Sequence, residues 1–433
     1  MFRNCWLERN KPSRNKIKNQ IKIKLKEEKK KRERIMKNFV FISPNFPTNY
    51  WKFCRQLKNN GLNVLGIGDQ PYDELKPELK DSLTEYYKVS SMENYDEVHR
   101  AVAFFIHKYG RIDWLESNNE YWLVRDAQLR TDFNITSGFQ EKDMDAIKYK
   151  SKMKKNFKKA GLPVARYHIA DNLPAARRFM KKVGYPAVAK PDNGVGAEAT
   201  YKLTCDEDLV NFFETYDKNV TYIMEEYVNA TVNSYDAIID SNGEPIFENG
   251  NVTVLSLMDV VNDHGNSIYY QQKELPEDIV KAGRATVKAF GVKSRFVHLE
   301  YFRLNQDQEG LGKEGDLVGL EVNMRPPGGF TPDLHNFSCS TDVYKIWADM
   351  IAFDKTDLQQ GEQFYCAFMG RRDGKNFVLS HEELAEKYKA NMKMQERIPD
   401  ALSGAMGNQM FVANFSTKEE MDQFYYDACL CHE

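Results

Sequence analysis

After residue 36 the chain alternates between short apolar runs and helical patterns. The apolar runs FVFIS at 39–43 and NVLGIGD at 63–69 flank one amphipathic stretch, and a second stretch at 95–110 precedes the strand-like segment IDWLESN. Strands that alternate with helical patterns predict βαβ units and a parallel sheet. We therefore predict a Rossmann-like domain over 37–140. It lacks the motif G-x-G-x-x-G, so dinucleotide binding has no specific support.

The pattern changes at about residue 141. A lysine-rich stretch at 144–161 predicts one helix, and the apolar strand YPAVAKPD leads into further strands, two of which should form a hairpin about Ser241, Asn242 and Gly243. Two more apolar strands, at 295–304 and 316–324, flank a polar loop. The fold class is therefore predicted to be α/β and α+β. The predicted regions are a tail at 1–36, domains at 37–140 and 141–355, and a small C-terminal α/β appendage at 356–433.

Charge is unevenly distributed along the chain. Residues 1–36 contain 14 Lys or Arg and 4 Asp or Glu, so the rest of the chain carries −2 minus 10, or −12. An acidic body argues against general nucleic-acid binding. We expect the basic tail to be disordered or to lie outside the native protein.

Hydropathy and cysteine content indicate a cytoplasmic protein. No run approaches the roughly 18 apolar residues of a membrane helix, and we expect neither a secretory signal nor a membrane partner. Of the seven cysteines, only Cys429 and Cys431 stand near each other. This spacing predicts reduced thiols rather than a disulfide framework or a zinc site.

The most specific polar pattern lies in the segments HLEYF at 298–302 and EVNMRPPGG at 321–329. Both are predicted strands, and alternate side chains of a strand share a face. The polar side chains that share faces are His298 and Glu300 in one strand and Glu321, Asn323 and Arg325 in the other. Two carboxylates and an amide oxygen could then converge, and such hard oxygen ligands suit Mg²⁺ or Mn²⁺ completed by substrate phosphates.

These segments resemble the metal-binding strands of the ATP-grasp superfamily, in which paired acidic residues and an asparagine hold magnesium on the phosphates of ATP. The resemblance implies two Mg²⁺ or Mn²⁺ ions, with Glu300, Glu321 and Asn323 as metal ligands. It also implies that Arg325 is a catalytic residue that stabilises the transferring phosphoryl charge.

Other motifs follow in the order that this superfamily requires. Lys150 and Lys190 resemble its two phosphate-binding lysines, and the segment after Lys190 resembles a loop that closes over the phosphates, with Gly194 and Gly196 allowing close backbone approach. The segment that resembles the adenine-binding hinge comprises Glu225, Glu226, Tyr227 and Val228. Asp236 is a weaker candidate for ribose contact.

The segment YYQQKELP resembles a stretch that, in biotin carboxylase-like members, reaches toward the γ-phosphate and the acceptor substrate. The resemblance therefore implies a catalytic role for Lys273. It also leaves open a bicarbonate-activating enzyme of the biotin carboxylase or carbamoyl-phosphate synthase type.

The resemblance as a whole implies an ATP-dependent carboxylate–amine ligase of the amino-acid or peptide type, acting through an acyl phosphate. Its expected partners are a small carboxylate and a small amine, and a homodimer is one possible assembly. A non-catalytic ATP-binding regulator is the alternative from another functional class. Acceptor specificity resides in loops that vary on a shared scaffold, so the substrates stay open at this point.

Overall fold

A parallel four-stranded sheet lies at the N-terminal end of the described chain. The computed structural model describes residues 36–194, 199–254 and 265–432. The elements of this first region are β1 (Asn38–Ile42), α1 (Trp51–Asn59), β2 (Asn63–Gly68), α2 (Pro77–Ser82), β3 (Glu85–Lys88), α3 (Tyr95–Tyr109), β4 (Trp114–Glu116) and α4 (Leu123–Asp132). The strand order is β3-β2-β1-β4, and all pairings are parallel. The predicted βαβ arrangement is therefore confirmed.

The local sequence explains these elements. Every residue of β1 is buried, as expected for a parallel strand covered on both faces. Helix α3 begins at Asn94, whose side-chain oxygen accepts a hydrogen bond from the backbone N–H of Glu97 at 3.3 Å. The buried residues of α3 recur at helical spacing and are Val98, Ala101, Val102 and Phe105.

A second sheet has four antiparallel strands in the order β5-β8-β6-β7. The elements of this region are α5 (Met144–Lys148), α6 (Lys150–Lys159), β5 (Tyr167–Ile169), α7 (Leu173–Val183), β6 (Ala187–Pro191), β7 (Tyr201–Leu203), α8 (Asp206–Thr215) and β8 (Tyr222–Glu226). Helices α7 and α8 pack on this sheet and enclose a small core of their own.

The single helix predicted over 144–161 is wrong, because the chain breaks at Tyr149, which has an extended conformation. Asp192 explains the break. Its carbonyl accepts from the N–H of Lys150 at 2.8 Å, and its carboxylate accepts from the N–H and hydroxyl of Ser151, each at 2.7 Å. These bonds cap a new helix that starts at Lys150, next to the end of β6.

The third sheet has nine strands in the order β14-β13-β9-β11-β12-β15-β17-β16, with β10 paired to β9. The strands are β9 (Ala230–Ile239), β10 (Pro245–Asn249), β11 (Asn251–Thr253), β12 (Ser267–Gln271), β13 (Arg295–Leu304), β14 (Leu317–Asn323), β15 (Tyr365–Arg371), β16 (Met392–Arg397) and β17 (Gln409–Phe415). The helices are α9 (Glu277–Phe290), α10 (Thr331–Cys339), α11 (Val343–Phe353), α12 (His381–Lys387), α13 (Asp400–Met406) and α14 (Lys418–Cys429). Strands β15 to β17 extend this sheet through the β12–β15 pairing, so the segment predicted as an appendage is continuous with it. The predicted domain boundaries stay predictions.

An aromatic core joins the first region to the nine-stranded sheet. Phe39 and Phe53 contact the indole of Trp347 on α11, with ring centroids 5.6 Å and 5.0 Å apart, and Phe296 of β13 belongs to the same buried cluster. Edge-to-face aromatic pairs contribute roughly 0.5–1.5 kcal/mol each beyond their buried area. Helices long and apolar enough to cross a membrane do not occur in the described ranges.

Candidate active site

A cavity of about 380 Å³ lies between the antiparallel four-stranded sheet and the nine-stranded sheet. The predicted site residues that line it are Lys150, Lys190, Glu225, Glu226, Tyr227, Val228, Glu300, Glu321, Asn323 and Arg325. Apolar parts of its wall come from Val188, Ala230, Val232, Phe302 and Leu320. The structure therefore brings the predicted metal, phosphate and hinge segments to one cavity, although their individual roles stay predictions.

Strands β13 and β14 place the predicted metal ligands side by side. Glu300 pairs directly with Glu321 and His298 with Asn323. The register shifts immediately after Glu300. The intervening residues, such as Leu299, are buried in the core on the other face of the sheet. The polar face is thus fixed toward the cavity by burial of the apolar face.

The two carboxyl groups have opposite pKa shifts. Burial raises the pKa of Glu321, and the neighbouring Glu300 adds to this effect, whereas Lys150 opposes it with its Nζ atom 3.5 Å away. Burial also acts on Glu300, but the positive charges of His298 and Arg325 outweigh it and lower the pKa of that carboxyl. The negative charge on this wall is therefore only partly neutralised by the protein.

The donor set on this wall fits a hard divalent cation that also binds a ligand. Glu300 and Glu321 supply carboxylates and Asn323 an amide oxygen, which accepts from Nη2 of Arg325 at 3.1 Å. No cluster of three or more His, Cys, Asp or Glu with metal-site geometry occurs among the described residues. An incomplete set is what Mg²⁺ uses when substrate phosphates and water supply its other ligands.

A chain of polar groups runs from this wall into the core, and the sequence analysis did not predict its contacts. His298 contacts Glu300 at 3.5 Å through Nε2 and the carboxylate of Asp236 at 2.5 Å through Nδ1. His335 lies 3.2 Å from the other oxygen of Asp236, which also accepts from the hydroxyl of Ser234. Burial opposes protonation of His298, but the two carboxylates outweigh it and raise its pKa to about 10.

Asp236 is therefore not placed to contact a ribose, and the sequence-based expectation is corrected. Its side chain is fully buried and both carboxylate oxygens are occupied by neighbouring groups. The contact with His335 joins residues that are far apart in the sequence, so periodicity gave no signal for it.

Lysines dominate the opposite wall. Lys150, the first residue of α6, donates to the carbonyl of Gly194 at 2.9 Å. The Nζ atom of Lys190, on β6, lies 2.7 Å from Oε2 of Glu225 on β8. Gly194 is outside the set that lines the cavity, and Gly196 lies outside the described residues.

Lys154 is a further lysine, buried behind this wall, and sequence reasoning missed it. It forms an ion pair with Oε1 of Glu225, so each oxygen of that carboxylate has its own ammonium group. Burial alone would raise the pKa of Glu225, but Lys154 and Lys190 outweigh burial and lower it to about 2. The spacing of four residues from Lys150 was a readable signal that both lysines share a helix face.

The predicted hinge comprises the last two residues of β8, Glu225 and Glu226, and the two residues after it. The side chain of Glu226 is turned away from a ligand role, because its carboxylate accepts from Nε of Arg166 at 2.8 Å and from the N–H of Arg166 at 2.6 Å. The carbonyl of Tyr227 accepts from Nε2 of Gln308 at 2.9 Å. The backbone from Glu226 to Val228 borders the cavity, and its contact with adenine stays a prediction.

Lys273 is not brought to the cavity. Its ammonium donates to the carbonyl of Ser416 at 3.1 Å, and it is absent from the residues that line the cavity. The structure gives no geometric support to the catalytic role implied for it by resemblance.

The N-terminal sheet also contributes to the site. Glu120, in the loop after β4, lies 3.4 Å from Nε of Arg325 and 2.8 Å from Nζ of Lys148. Ser117 anchors this loop, since its N–H and hydroxyl donate to Asp126 at 2.9 Å and 2.6 Å. Strands β1 and β4 adjoin where the strand order reverses, and ligands bind outside the carboxyl ends of strands at such points.

Two buried polar atoms without hydrogen-bond partners lie in the loops that follow β1 and β4. The side-chain oxygen of Asn49 and the amide nitrogen of Asn118 are buried and make no hydrogen bond within the described structure. Asn118 has a φ of 56°, and its carbonyl accepts from the hydroxyl of Tyr50 at 2.7 Å. Buried polar groups without partners are costly, so these atoms are suited to a polar ligand or to water.

Comparison by sequence found one informative relative. No protein-family model matches the chain. An L-arginine-specific L-amino acid ligase of Bacillus subtilis is 27% identical over 246 residues, which are 54% of this chain and 56% of the relative. The match thus spans about half the length of that relative.

Comparison of structures covers nearly the whole chain. The L-amino acid ligase from Bacillus licheniformis matches with a TM-score of 0.64 and 15% identity, over 90% of this chain and 96% of that one. The biotin carboxylase domain of 2-oxoglutarate carboxylase from Hydrogenobacter thermophilus, solved with MgADP and bicarbonate, matches with a TM-score of 0.65 and 15% identity, over 92% and 90%. The chain therefore shares the fold of these ATP-grasp neighbours, and about half of it is similar in sequence to an L-amino acid ligase.

Proposed function

We propose that this protein is an ATP-dependent ligase that joins the carboxylate of one small substrate, of the amino-acid or peptide type, to the amine of another. One observation carries the proposal. Lys150 and Glu321 face each other 3.5 Å apart in one cavity, so a phosphate-binding cation and a metal-binding carboxylate meet at the same point. The Bacillus subtilis relative supports an amino-acid substrate.

Binding of ATP is assigned to the space between the two sheets. Lys150 and Lys190 neutralise phosphate charge, and the apolar side chains beside the hinge cover the base. Magnesium, which would be held by Glu300, Glu321 and Asn323, supplies charge neutralisation at the phosphates. Two ions fit the proposal, because the two carboxylates can each bind a separate ion. Positioning and electrostatics provide most of the catalysis in such transfers.

Arg325 is placed for the transfer step. An oxygen of the substrate carboxylate attacks the γ-phosphorus, ADP leaves, and an acyl phosphate results. The amine then attacks the acyl carbon, phosphate leaves, and the amine loses a proton as the amide bond forms. Glu120 and Asn323 orient the guanidinium of Arg325, which stabilises charge on the phosphoryl oxygens. Water must be excluded while the acyl phosphate exists.

The acceptor pocket is assigned to the loops after β1 and β4, together with the Pro-Pro-Gly-Gly loop after Arg325. The carboxylate of Glu120 and the unpartnered side-chain oxygen of Asn49 suit a substrate ammonium, and the unpartnered amide nitrogen of Asn118 suits a substrate carboxylate. L-Arginine is the first substrate to test, because the relative is specific for it.

A bicarbonate-activating enzyme is the second candidate, favoured by the likeness to a biotin carboxylase domain. Lys273, the residue that favoured it in the sequence, contacts Ser416 instead of the cavity. A non-catalytic regulator would have no need of the magnesium set and Arg325 together. The ligase is therefore the preferred proposal.

Phosphate release from ATP by the full chain tests the proposal. The reaction is measured with magnesium, L-arginine, pooled amino acids and small carboxylates, with and without bicarbonate, beside a Glu321→Ala variant. Release that needs amino acids and is lost in the variant supports the ligase. Release driven by bicarbonate alone supports the second candidate, and ATP binding without release under any condition supports a regulator.

The setting of the enzyme is part of the proposal. We place it in the cytoplasm, acting on small molecules rather than on nucleic acid or membranes, and we propose a homodimer. The dimer of the biotin carboxylase domain from Hydrogenobacter thermophilus supports this assembly. Light scattering of the full chain would distinguish a dimer from a monomer.

A further inference from the structure

A buried ion cluster lies behind the cavity wall that carries Lys150 and Lys190. It contains one residue, Lys154, that the proposed reaction does not use. Lys154 is 3% exposed and is absent from the residues that line the cavity. It lies one helical turn after Lys150, so both side chains leave the same face of α6. Lys150 extends toward Glu321, whereas Lys154 is paired with Glu225.

Glu225 is shared between two cations that differ in their access to the cavity. Lys154 occupies Oε1, and its Nζ atom lies 5.4 Å from the ring centroid of Tyr167 on the neighbouring strand. Lys190 occupies Oε2 at 2.7 Å, but its side chain lines the cavity. One ammonium is therefore enclosed by protein, and the other faces the space assigned to the nucleotide.

This arrangement affects how Lys190 can bind a phosphate. If Lys190 were the only partner of Glu225, movement of its ammonium toward a phosphate would leave a buried carboxylate without a counter-charge. An unpaired buried charge is strongly unfavourable, so Glu225 would compete with the phosphate for Lys190. Lys154 removes this competition because it stays on Glu225 when Lys190 moves.

We propose that Lys154 is a positioning residue that keeps Glu225 neutralised and thereby frees Lys190 to bind a nucleotide phosphate. The inference rests on the proposed function, since it requires ATP in this cavity. It predicts a defined interaction between two substitutions, which a purely structural role of Lys154 does not.

Equilibrium binding of MgATP to the full chain tests the inference, using calorimetry. Lys154→Met should weaken binding by about tenfold, the size of one hydrogen bond to a charged group, and should raise KM for ATP more than it lowers kcat. Lys154→Arg should restore binding. Adding Glu225→Gln to Lys154→Met should also restore it, because a neutral glutamine no longer holds Lys190.

The matched control is Lys155→Met, an exposed neighbour on the same helix that should leave binding unchanged. If Lys154→Met alone does not fold, MgATP binding is measured with the double variant Lys154→Met/Glu225→Gln. This variant should fold because it contains no unpaired buried carboxylate. Binding by Lys154→Met as tight as that of the wild type overturns the inference, and so does a double variant that binds weakly. A wild-type chain that binds no MgATP overturns the proposed function itself, which distinguishes the two failures.

Discussion

Two glutamates on opposite walls of the cavity differ in what neutralises them. Glu225 has an ammonium group on each carboxylate oxygen, and its pKa falls to about 2 because these charges outweigh burial. Glu321 has one lysine 3.5 Å away and Glu300 as its cross-strand neighbour, and burial raises its pKa. The protein therefore completes the charge balance on the first wall and leaves it incomplete on the second.

This difference in neutralisation indicates which wall requires a cation that the protein does not supply. A carboxylate that already has two cationic partners gains little from a metal ion, whereas two adjacent carboxylates whose charge the protein balances only in part gain more. Full neutralisation of the carboxylates on β13 and β14 thus requires a bound cation, whereas Glu225 on β8 is neutralised by lysines of the protein itself. Substitutions that are matched across the two walls can separate these dependences.

The largest expected effect is the loss of activity on replacing Glu321 by glutamine. Because the incomplete wall loses a proposed metal ligand, phosphate release should fall by about 10²- to 10³-fold and should need more magnesium. The measurement is a magnesium titration of phosphate release with amino acids present. Glu314→Gln, in the exposed loop between β13 and β14, is the matched control. An unchanged magnesium dependence in Glu321→Gln would contradict the assignment of this wall.

The next effect concerns Arg325, which bridges the metal-binding wall and the N-terminal sheet. Its guanidinium contacts Asn323 at 3.1 Å, the carbonyl of Pro326 at 2.8 Å and Glu120 at 3.4 Å. A lysine cannot make these contacts together, so Arg325→Lys should lower kcat by about 10- to 100-fold with a smaller change in KM for ATP. Steady-state kinetics separates the two parameters. A change in KM alone would instead indicate a ground-state binding role.

The free energy of unfolding should change more on replacing Glu225 than on replacing Glu321, which is the reverse of the order expected for activity. Glu225→Gln leaves Lys154 and Lys190 without their shared counter-charge and should lower the free energy of unfolding by about 3 kcal/mol. Glu321→Gln removes a half-buried charge that the protein compensates only in part and should leave stability unchanged or higher. Urea unfolding without ATP or magnesium measures both. Equal losses in the two variants would show that the walls do not differ as described.

Much of the β13–β14 wall was predictable because it depends on local rules. Side chains alternate between the two faces of a strand, so Glu300 faces the cavity while its neighbours Leu299 and Tyr301 face the core. The polar loop between β13 and β14 indicated that the two strands pair. The two lysines proposed to bind phosphate were predicted from the resemblance, since a single lysine in a helix or a strand has no pattern of its own. The βαβ pattern likewise predicted the parallel sheet.

The missed residues depend on contacts between distant segments. Whether Lys154 meets Glu225, or His335 meets Asp236, is decided by how α6 and α10 pack on their sheets, and periodicity does not encode that packing. The break at Tyr149 has the same origin, since Asp192 from the end of β6 caps the helix that follows. Tertiary hydrogen bonds override helix propensity here.

The smallest expected effect is a pH dependence of the unfolding free energy that arises from Glu225 on β8. The pKa of Glu225 is about 2 in the folded protein and 4.5 for an unperturbed glutamate. Because the folded value is lower, ionised Glu225 stabilises the fold above the unfolded pKa, and this stabilisation is lost as the pH falls toward 2. The loss between about pH 7 and about pH 3 should be on the order of 2 kcal/mol.

The difference in unfolding free energy between the wild type and Glu225→Gln measures this loss directly. The difference should be largest near neutral pH and should shrink by on the order of 2 kcal/mol near pH 3, because glutamine does not titrate and other carboxyl groups act equally in both proteins. A difference that stays constant over this range would mean that the pKa of Glu225 is the same in the folded and the unfolded protein. In that case Lys154 and Lys190 would not hold a shared charge, and the contrast between the two walls would not stand.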